Sequence, residues 1–321
     1  MQTFDRYWLV DVPRYPDHGY ALLAERIKRL LKTSADVLFV QAEAVLALEA
    51  VAASIARQGI VAVNVVTSPY GRWFGGWLRR GGAIVHDVVA TMGQPVESSA
   101  VANCLETLEH VDIVAAVHAE SSSGALNPLA QLAALAKSRH ALFAVDAVAS
   151  IGGHVIDVDG LGIDIAVIGP QKALAGPAGL SAVVLGQRAL DHIAKMPDFA
   201  PSSLSLAALK RDWLDRGRPG LPGTPSALEF WALEAALDRI EAEGKDCGRR
   251  ARGTKRNALG RAWGHRLSFL CGRGVLSGAE LGGKPCASVT VLSGASVARR
   301  SSGSRGSARR PAARFSARRS S

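Results

Sequence analysis

An aspartate and a lysine, Asp146 and Lys172, each follow a short apolar run and stand 26 residues apart, close to the length of one strand-helix-strand unit. A carboxylate and a primary amine delivered to one crevice suit pyridoxal chemistry. The amine forms a Schiff base with the aldehyde. The carboxylate keeps the pyridine nitrogen protonated, so that the ring draws electrons from a substrate's α-carbon. Taken singly, neither residue is diagnostic, because an Asp after a strand commonly caps a turn and a loop Lys is commonly solvated.

Other chemistry is poorly supported. Cys104 stands alone in the body of the chain, and Cys247, Cys271 and Cys286 lack the paired spacing of a zinc site or a disulfide frame. No metal is expected, and a reducing cytoplasm is the expected compartment. His118 ends an apolar run without metal-binding partners and reads as structural.

The elements that must position Asp146 and Lys172 follow from the apolar pattern. Strands are expected at Val37–Val40, Ile60–Val66, Ala83–Val88, Asp112–Val117, Ala141–Asp146, Asp164–Gly169 and Leu180–Leu185. Helices are expected at Leu46–Arg57, Trp73–Arg80, Ser98–Glu109, Pro128–Ser138, Ala189–Lys195 and Pro225–Ala242. Fully apolar strands separated by helix-sized intervals predict an α/β fold whose mostly parallel, seven-stranded sheet is covered on both faces. Ligands of such sheets sit beyond the carboxyl ends of the strands. That edge collects Glu43-Ala44-Val45, Ser68–Gly71, His118–Gly124, Asp146–Ser150 and Gly169–Lys172.

Charge divides the 321 residues. The formal net charge of +10 splits into +15 for Asp246–Ser321, with 17 Lys or Arg against Asp246 and Glu280, and −5 for the rest. Nucleic acid is therefore not expected as a partner of the body, and only the last quarter carries the opposite argument. The longest apolar stretch, Val37–Ala56, is broken by Gln41, Glu43 and Glu49, so no membrane span is expected. The opening MQTFDRYWLVDVP has no basic region before its apolar run and does not read as a secretory signal.

The segments HAESSSGALNPL (118–129), AVDAVASIGG (144–153) and DIAVIGPQKALAGPAGL (164–180) resemble the consecutive active-site segments of class V pyridoxal-phosphate aminotransferases, the alanine–glyoxylate and serine–pyruvate group. The resemblance spans roughly Tyr15–Gly244. It implies the large domain of a fold-type I transferase, with pyridoxal 5'-phosphate as cofactor and an amino donor and a small 2-oxo acid, pyruvate or glyoxylate, as substrates. It further implies that Lys172 is the Schiff-base lysine and proton shuttle, and that Asp146 pairs with the pyridine nitrogen. Val148 and Tyr70 would lie on the two ring faces, Ser121 beside the phenolic oxygen, and Gln171 toward the phosphate. Thr224 would be donated to the partner's phosphate site, which implies a homodimer with shared active sites.

Two departures matter. Where the family's phosphate-binding turn carries a Ser-Gly-His or Ser-Gly-Thr type sequence, this chain has Glu43, Ala44 and Val45. A helix N-terminus normally welcomes an anion, but two unit charges 4 Å apart repel by about 4 kcal/mol at an effective dielectric of 20. The pyridoxamine–pyruvate branch of the family, which handles unphosphorylated pyridoxamine and pyridoxal, also has a glutamate there. The resemblance therefore implies an alternative substrate, the unphosphorylated vitamer.

The second departure is at the C-terminus, where the family's small domain and its substrate-carboxylate arginine are not recognisable. Residues 1–245 are expected to form the cofactor-binding domain, incomplete at its N-terminus for want of a Gly-Pro turn. Residues 246–298 are expected to be an irregular remnant, with the Arg, Ala, Gly and Ser content of a GC-rich gene read out of frame. Residues 299–321 are expected to be a disordered Arg/Ser-rich tail. The activity of this chain is thus in question, and an inactive remnant or a nonspecific nucleic-acid binder acting through the tail stays open.

Overall fold

The computed structural model describes residues 9–195 and 202–244. Lys245, the expected remnant and the expected tail lie outside them.

All seven expected strands form: β1 (Asp36–Val40), β2 (Val61–Val66), β3 (Ile84–Val89), β4 (Ile113–Val117), β5 (Leu142–Asp146), β6 (Ile165–Ile168) and β7 (Ser181–Leu185). They make one sheet in the order β1-β7-β6-β5-β4-β2-β3. Pairing is parallel except where β7 meets β1 and β6. Every residue of β2, β4, β6 and β7 is buried, as a sheet covered on both faces requires. This is the α/β fold expected from the sequence.

Helices α2 (Ala44–Ile55) and α3 (Pro69–Arg80) pack on each other, α2 against β6 and β7 and α3 against β2 and β3. α4 (Ser98–Glu106) and α5 (Leu129–Ser138) form another pair, with α5 on β4 and β5. The chain continues through α6 (Val158–Leu161), α7 (Gln187–Ala194), α8 (Leu206–Leu209) with a π turn at Lys210–Leu214, and α9 (Ala227–Glu243). Among the described residues no helix is long and apolar enough to cross a membrane.

Helix α1 (Asp17–Leu31) was not expected, although Tyr20, Leu23, Ala24, Ile27 and Leu31 are buried at helical spacing. It packs on β1 and α9. There Tyr15, Tyr20, Phe39 and Phe230 meet with ring centroids 4.7–5.5 Å apart, each large buried side chain contributing about 1.5–3 kcal/mol.

Three of the expected helices, α2, α3 and α7, begin earlier than expected, and the shifts of the first two matter. α2 begins at Ala44, with Glu43 as its N-cap, and α3 begins at Pro69, with the Ser68 hydroxyl accepting from the Tyr70 N–H. Ser followed by Pro is a helix-start signal, so Tyr70 stands in the first turn of a helix rather than in a loop.

Candidate active site

The topology brings five segments to one edge. β4, β5 and β6 run parallel, so the residues after Val117, Asp146 and Ile168 emerge together. Two successive antiparallel pairings restore the direction of β1, which brings Glu43 to the same edge. The strand order turns back between β2 and β4, and a crevice opens at such a switch point.

Asp146 occupies the centre of this edge, in register with Val117 on one side and Val167 on the other. Its Oδ1 accepts from the Val148 N–H at 2.9 Å. Burial pushes its pKa up to about 6, against the lowering effects of that N–H and of Lys172. Asp146 and Lys172 thus attract each other without a direct ion pair, and the carboxylate is short of cationic compensation. A buried carboxylate in this condition favours a cationic partner.

Lys172 follows β6 on a loop tied to itself: Ala175 N–H donates to the Lys172 carbonyl at 2.9 Å and Gly176 N–H to the Pro170 carbonyl at 2.7 Å. Closing this turn holds Ala175 at φ +50°, which costs a non-glycine residue about 1–2 kcal/mol. Lys172 Nζ lies 4.9 Å from the centroid of the Tyr70 ring, a cation–π contact worth about 0.5–2 kcal/mol when the amine is charged. Tyr70 meets Trp73 edge-on, with centroids 5.4 Å apart. Burial first, then Glu43, Asp146 and Glu120, raise the Tyr70 pKa. The phenol therefore stays neutral.

The α2 end of the crevice is built differently. Glu43 Oε2 accepts from the Val45 N–H at 2.9 Å, and Oε1 accepts from Gln171 Nε2 at 2.7 Å. That donation turns the Gln171 Oε1 away, where it is buried without a hydrogen-bond partner. Ala44 is buried in the first turn of α2. Gly169 makes the close approach possible, since a Cβ there would lie 2.8 Å from Ala44 Cβ and 2.9 Å from Val148 Cγ1.

The structure thus brings Asp146, Val148, Lys172, Tyr70, Gln171, Glu43, Ala44 and Val45 to one edge. Ser121 stands at the same edge, half-buried in the turn after β4. Thr224 is not gathered there by any hydrogen bond: it stands exposed in the loop before α9.

Three polar residues at this edge were missed. Glu120 is 3% exposed, Asn127 2% and Thr67 8%. Thr67 Oγ1 donates to Glu120 Oε1 at 2.5 Å and accepts from Asn127 Nδ2 at 3.1 Å. Glu120 lies within the quoted segment HAESSSGALNPL, but its partner is 53 residues away in sequence. His118, read as structural, is buried with Nδ1 unpartnered and its ring centroid 5.7 Å from that of His154. Burial, then His154, depress its pKa to about 4, so it stays neutral.

The residues fit the ring and aldehyde of a pyridoxal group better than its phosphate. A half-buried, desolvated carboxylate lacking a cation, an amine over an aromatic face and the glycine-permitted approach of Val148 suit the ring. At the other end, Glu43 already consumes the Val45 N–H and the Gln171 amide, and the buried Gln171 oxygen offers a phosphate nothing.

Residues 18–259 match the family model for aminotransferase class-V. An uncharacterized aminotransferase of Methanocaldococcus jannaschii is 33% identical over 222 residues, 68% of this chain and 57% of that protein. The pyridoxamine–pyruvate transaminase of Mesorhizobium japonicum is 31% identical over 236 residues, 72% of this chain and 59% of that protein. Among solved structures, pyridoxamine–pyruvate aminotransferase from Mesorhizobium loti superposes with a TM-score of 0.67 at 28% identity, covering 78% of this chain and 62% of that one. An alanine–glyoxylate aminotransferase from Nostoc gives 0.68 at 27% identity, covering 76% and 66%. The chain spans less than three fifths of the length of the two curated relatives. The fold-type I sheet, the site segments in their order and the matched span together place it: the chain belongs to the class-V aminotransferase family.

Proposed function

We propose that the chain is a transaminase that moves an amino group to a small 2-oxo acid, pyruvate or glyoxylate, and that its amino donor is unphosphorylated pyridoxamine. The observation carrying the second part is the closed Glu43–Gln171–Val45 cluster. A free hydroxymethyl group can donate to the Gln171 oxygen or to Glu43. A 5'-phosphate has only acceptors and would face the Glu43 charge.

Each residue has a role in this reading. Tyr70 and Val148 hold the pyridine ring between them, and Ser121 lies beside its phenolic oxygen. Asp146 binds the ring nitrogen, and an N–H⁺ there offsets the cost of its buried charge. Pyridoxal, when bound, supplies the electron sink for the carbon that loses a proton. Lys172 would do the proton work: its free Nζ would take the proton from the donor carbon that bears the amine and return it to the carbon of the 2-oxo acid that receives it. A homodimer, with Thr224 reaching the partner's site, and a cytoplasmic location belong to the same reading, and the exposure of Thr224 accords with the first.

The test is to mix the purified full chain with pyridoxamine and pyruvate, and separately with glyoxylate, and to assay pyridoxal together with alanine or glycine. Stoichiometric appearance of pyridoxal and the amino acid is expected. Neither product with either acceptor would overturn the reading.

A further inference from the structure

The polar cluster behind the site has a direction. Val96 N–H donates to Asn127 Oδ1 at 2.9 Å, which fixes the amide so that Asn127 Nδ2 donates, to the Val117 carbonyl at 2.7 Å and to Thr67 Oγ1 at 3.1 Å. Because the Thr67 oxygen is already accepting, its own hydrogen points to Glu120, at 2.5 Å. A hydroxyl on a carboxylate at this distance is a charge-assisted bond. The relay therefore ends on a buried acceptor that, among the described residues, Thr67 reaches from the opposite loop.

Its position is what makes it functional. Thr67 follows β2 and immediately precedes Ser68, whose hydroxyl caps the turn carrying Tyr70. Glu120 immediately precedes Ser121, and its backbone closes that turn through Glu120 N–H to Ala125 O and Gly124 N–H to Glu120 O, both 2.8 Å. β2 and β4 are the strands between which the sheet order turns back, so the bond spans the crevice's own seam.

We propose that Glu120, acting through Thr67, is a positioning residue that locks the Tyr70 turn to the Ser121 turn across the β2/β4 seam. The proposal rests on the pyridoxal reading only for what the two turns hold; the coupling is a property of the free chain. Breaking it from either side must loosen the other side.

Hydrogen exchange on the full chain tests this. In Glu120→Ala the amides of Tyr70–Trp73 should exchange about tenfold faster, and in Thr67→Val those of Ser121–Ala125 should do so, the scale of one lost hydrogen bond. Amides of β5 should be unchanged. Glu120→Gln keeps an acceptor oxygen and Thr67→Ser keeps the hydroxyl, so both should match the wild type. Pyridoxal trapped on Lys172 should require about tenfold more ligand in the two disruptive variants alone. Exchange altered only in the mutated turn, altered equally throughout the sheet, or as fast in Glu120→Gln as in Glu120→Ala would overturn the proposal. Wild-type protein that takes no pyridoxal would instead overturn the proposed function, and the exchange pattern would still decide the coupling.

Discussion

The two ends of the crevice treat their polar groups in opposite ways. At the ring end, Asp146 is half-buried with a single backbone donor and Lys172 rests against an aromatic face rather than a carboxylate. At the α2 end, both Glu43 oxygens are engaged, by Val45 and Gln171, and the helix terminus is closed by its own residue. The ring end keeps its charges unsatisfied and so retains binding energy for a ligand. At the α2 end the Val45 N–H and the Gln171 amide are already taken, and in the proposed reading that end selects against an anion. The proposed function thus assigns reactivity and selectivity to different ends of one site.

The largest effect is expected at the α2 end. Glu43→Ser keeps a helix cap while releasing the Gln171 amide and removing the charge. Relief of a repulsion of up to about 4 kcal/mol should tighten pyridoxal 5'-phosphate up to about a thousandfold relative to pyridoxal, measured by competitive binding. An unchanged ratio would mean that Glu43 is only a cap.

At the ring end, Asp146→Asn should lower the transamination rate by about 10²- to 10³-fold, the scale of one preorganised electrostatic partner in a water-poor site. The same variant should stabilise the free chain. The native carboxyl titrates near 6 against an ordinary 3.8, so its contribution to stability falls as pH rises from about 3.8 to about 6 and stays low above. Replacing it should recover about 1–3 kcal/mol at neutral pH, read from urea midpoints. A destabilised variant would contradict the view that this charge is held at a cost.

A smaller effect lies behind the ring end. His118 titrates near 4 against an ordinary 6.5, so it favours the fold fully above 6.5. That contribution, about 2–3 kcal/mol, is lost as pH falls from 6.5 to 4, where the unfolded chain binds the extra proton. Asp146 works in the other direction over much of the same window, so the wild-type curve alone is a sum of the two. The difference between wild type and His118→Gln isolates the histidine and should grow as pH rises from 4 to 6.5. Parallel curves would remove the assignment.

What the sequence made legible follows the same division. Buried parallel strands are contiguous apolar runs, so β1 to β7 could be read directly, and Asp146 and Lys172 stood out as polar residues ending such runs. The helix starts were harder. Ser68-Pro69 looks like a loop until its cap is seen, the apolar pattern alone starts α2 at Leu46 rather than Ala44, and α1 shows only as an apolar stripe. Least legible were the bonds that give the site its character. Gln171 meets Glu43 across 128 residues and Thr67 meets Glu120 across 53, and only the strand order brings such pairs together. A family pattern could point to Gln171 as a phosphate contact, whereas the structure turns its amide onto Glu43.

In the proposed function Lys172 takes an unphosphorylated pyridoxal in preference to its phosphate ester. Borohydride trapping of the full chain with equal concentrations of pyridoxal and pyridoxal 5'-phosphate, followed by peptide mapping, tests it directly. One labelled site, Lys172, bearing the unphosphorylated adduct in large excess, is the expected result. Label on Lys172 that is mainly phosphorylated, or label confined to other lysines, would contradict it.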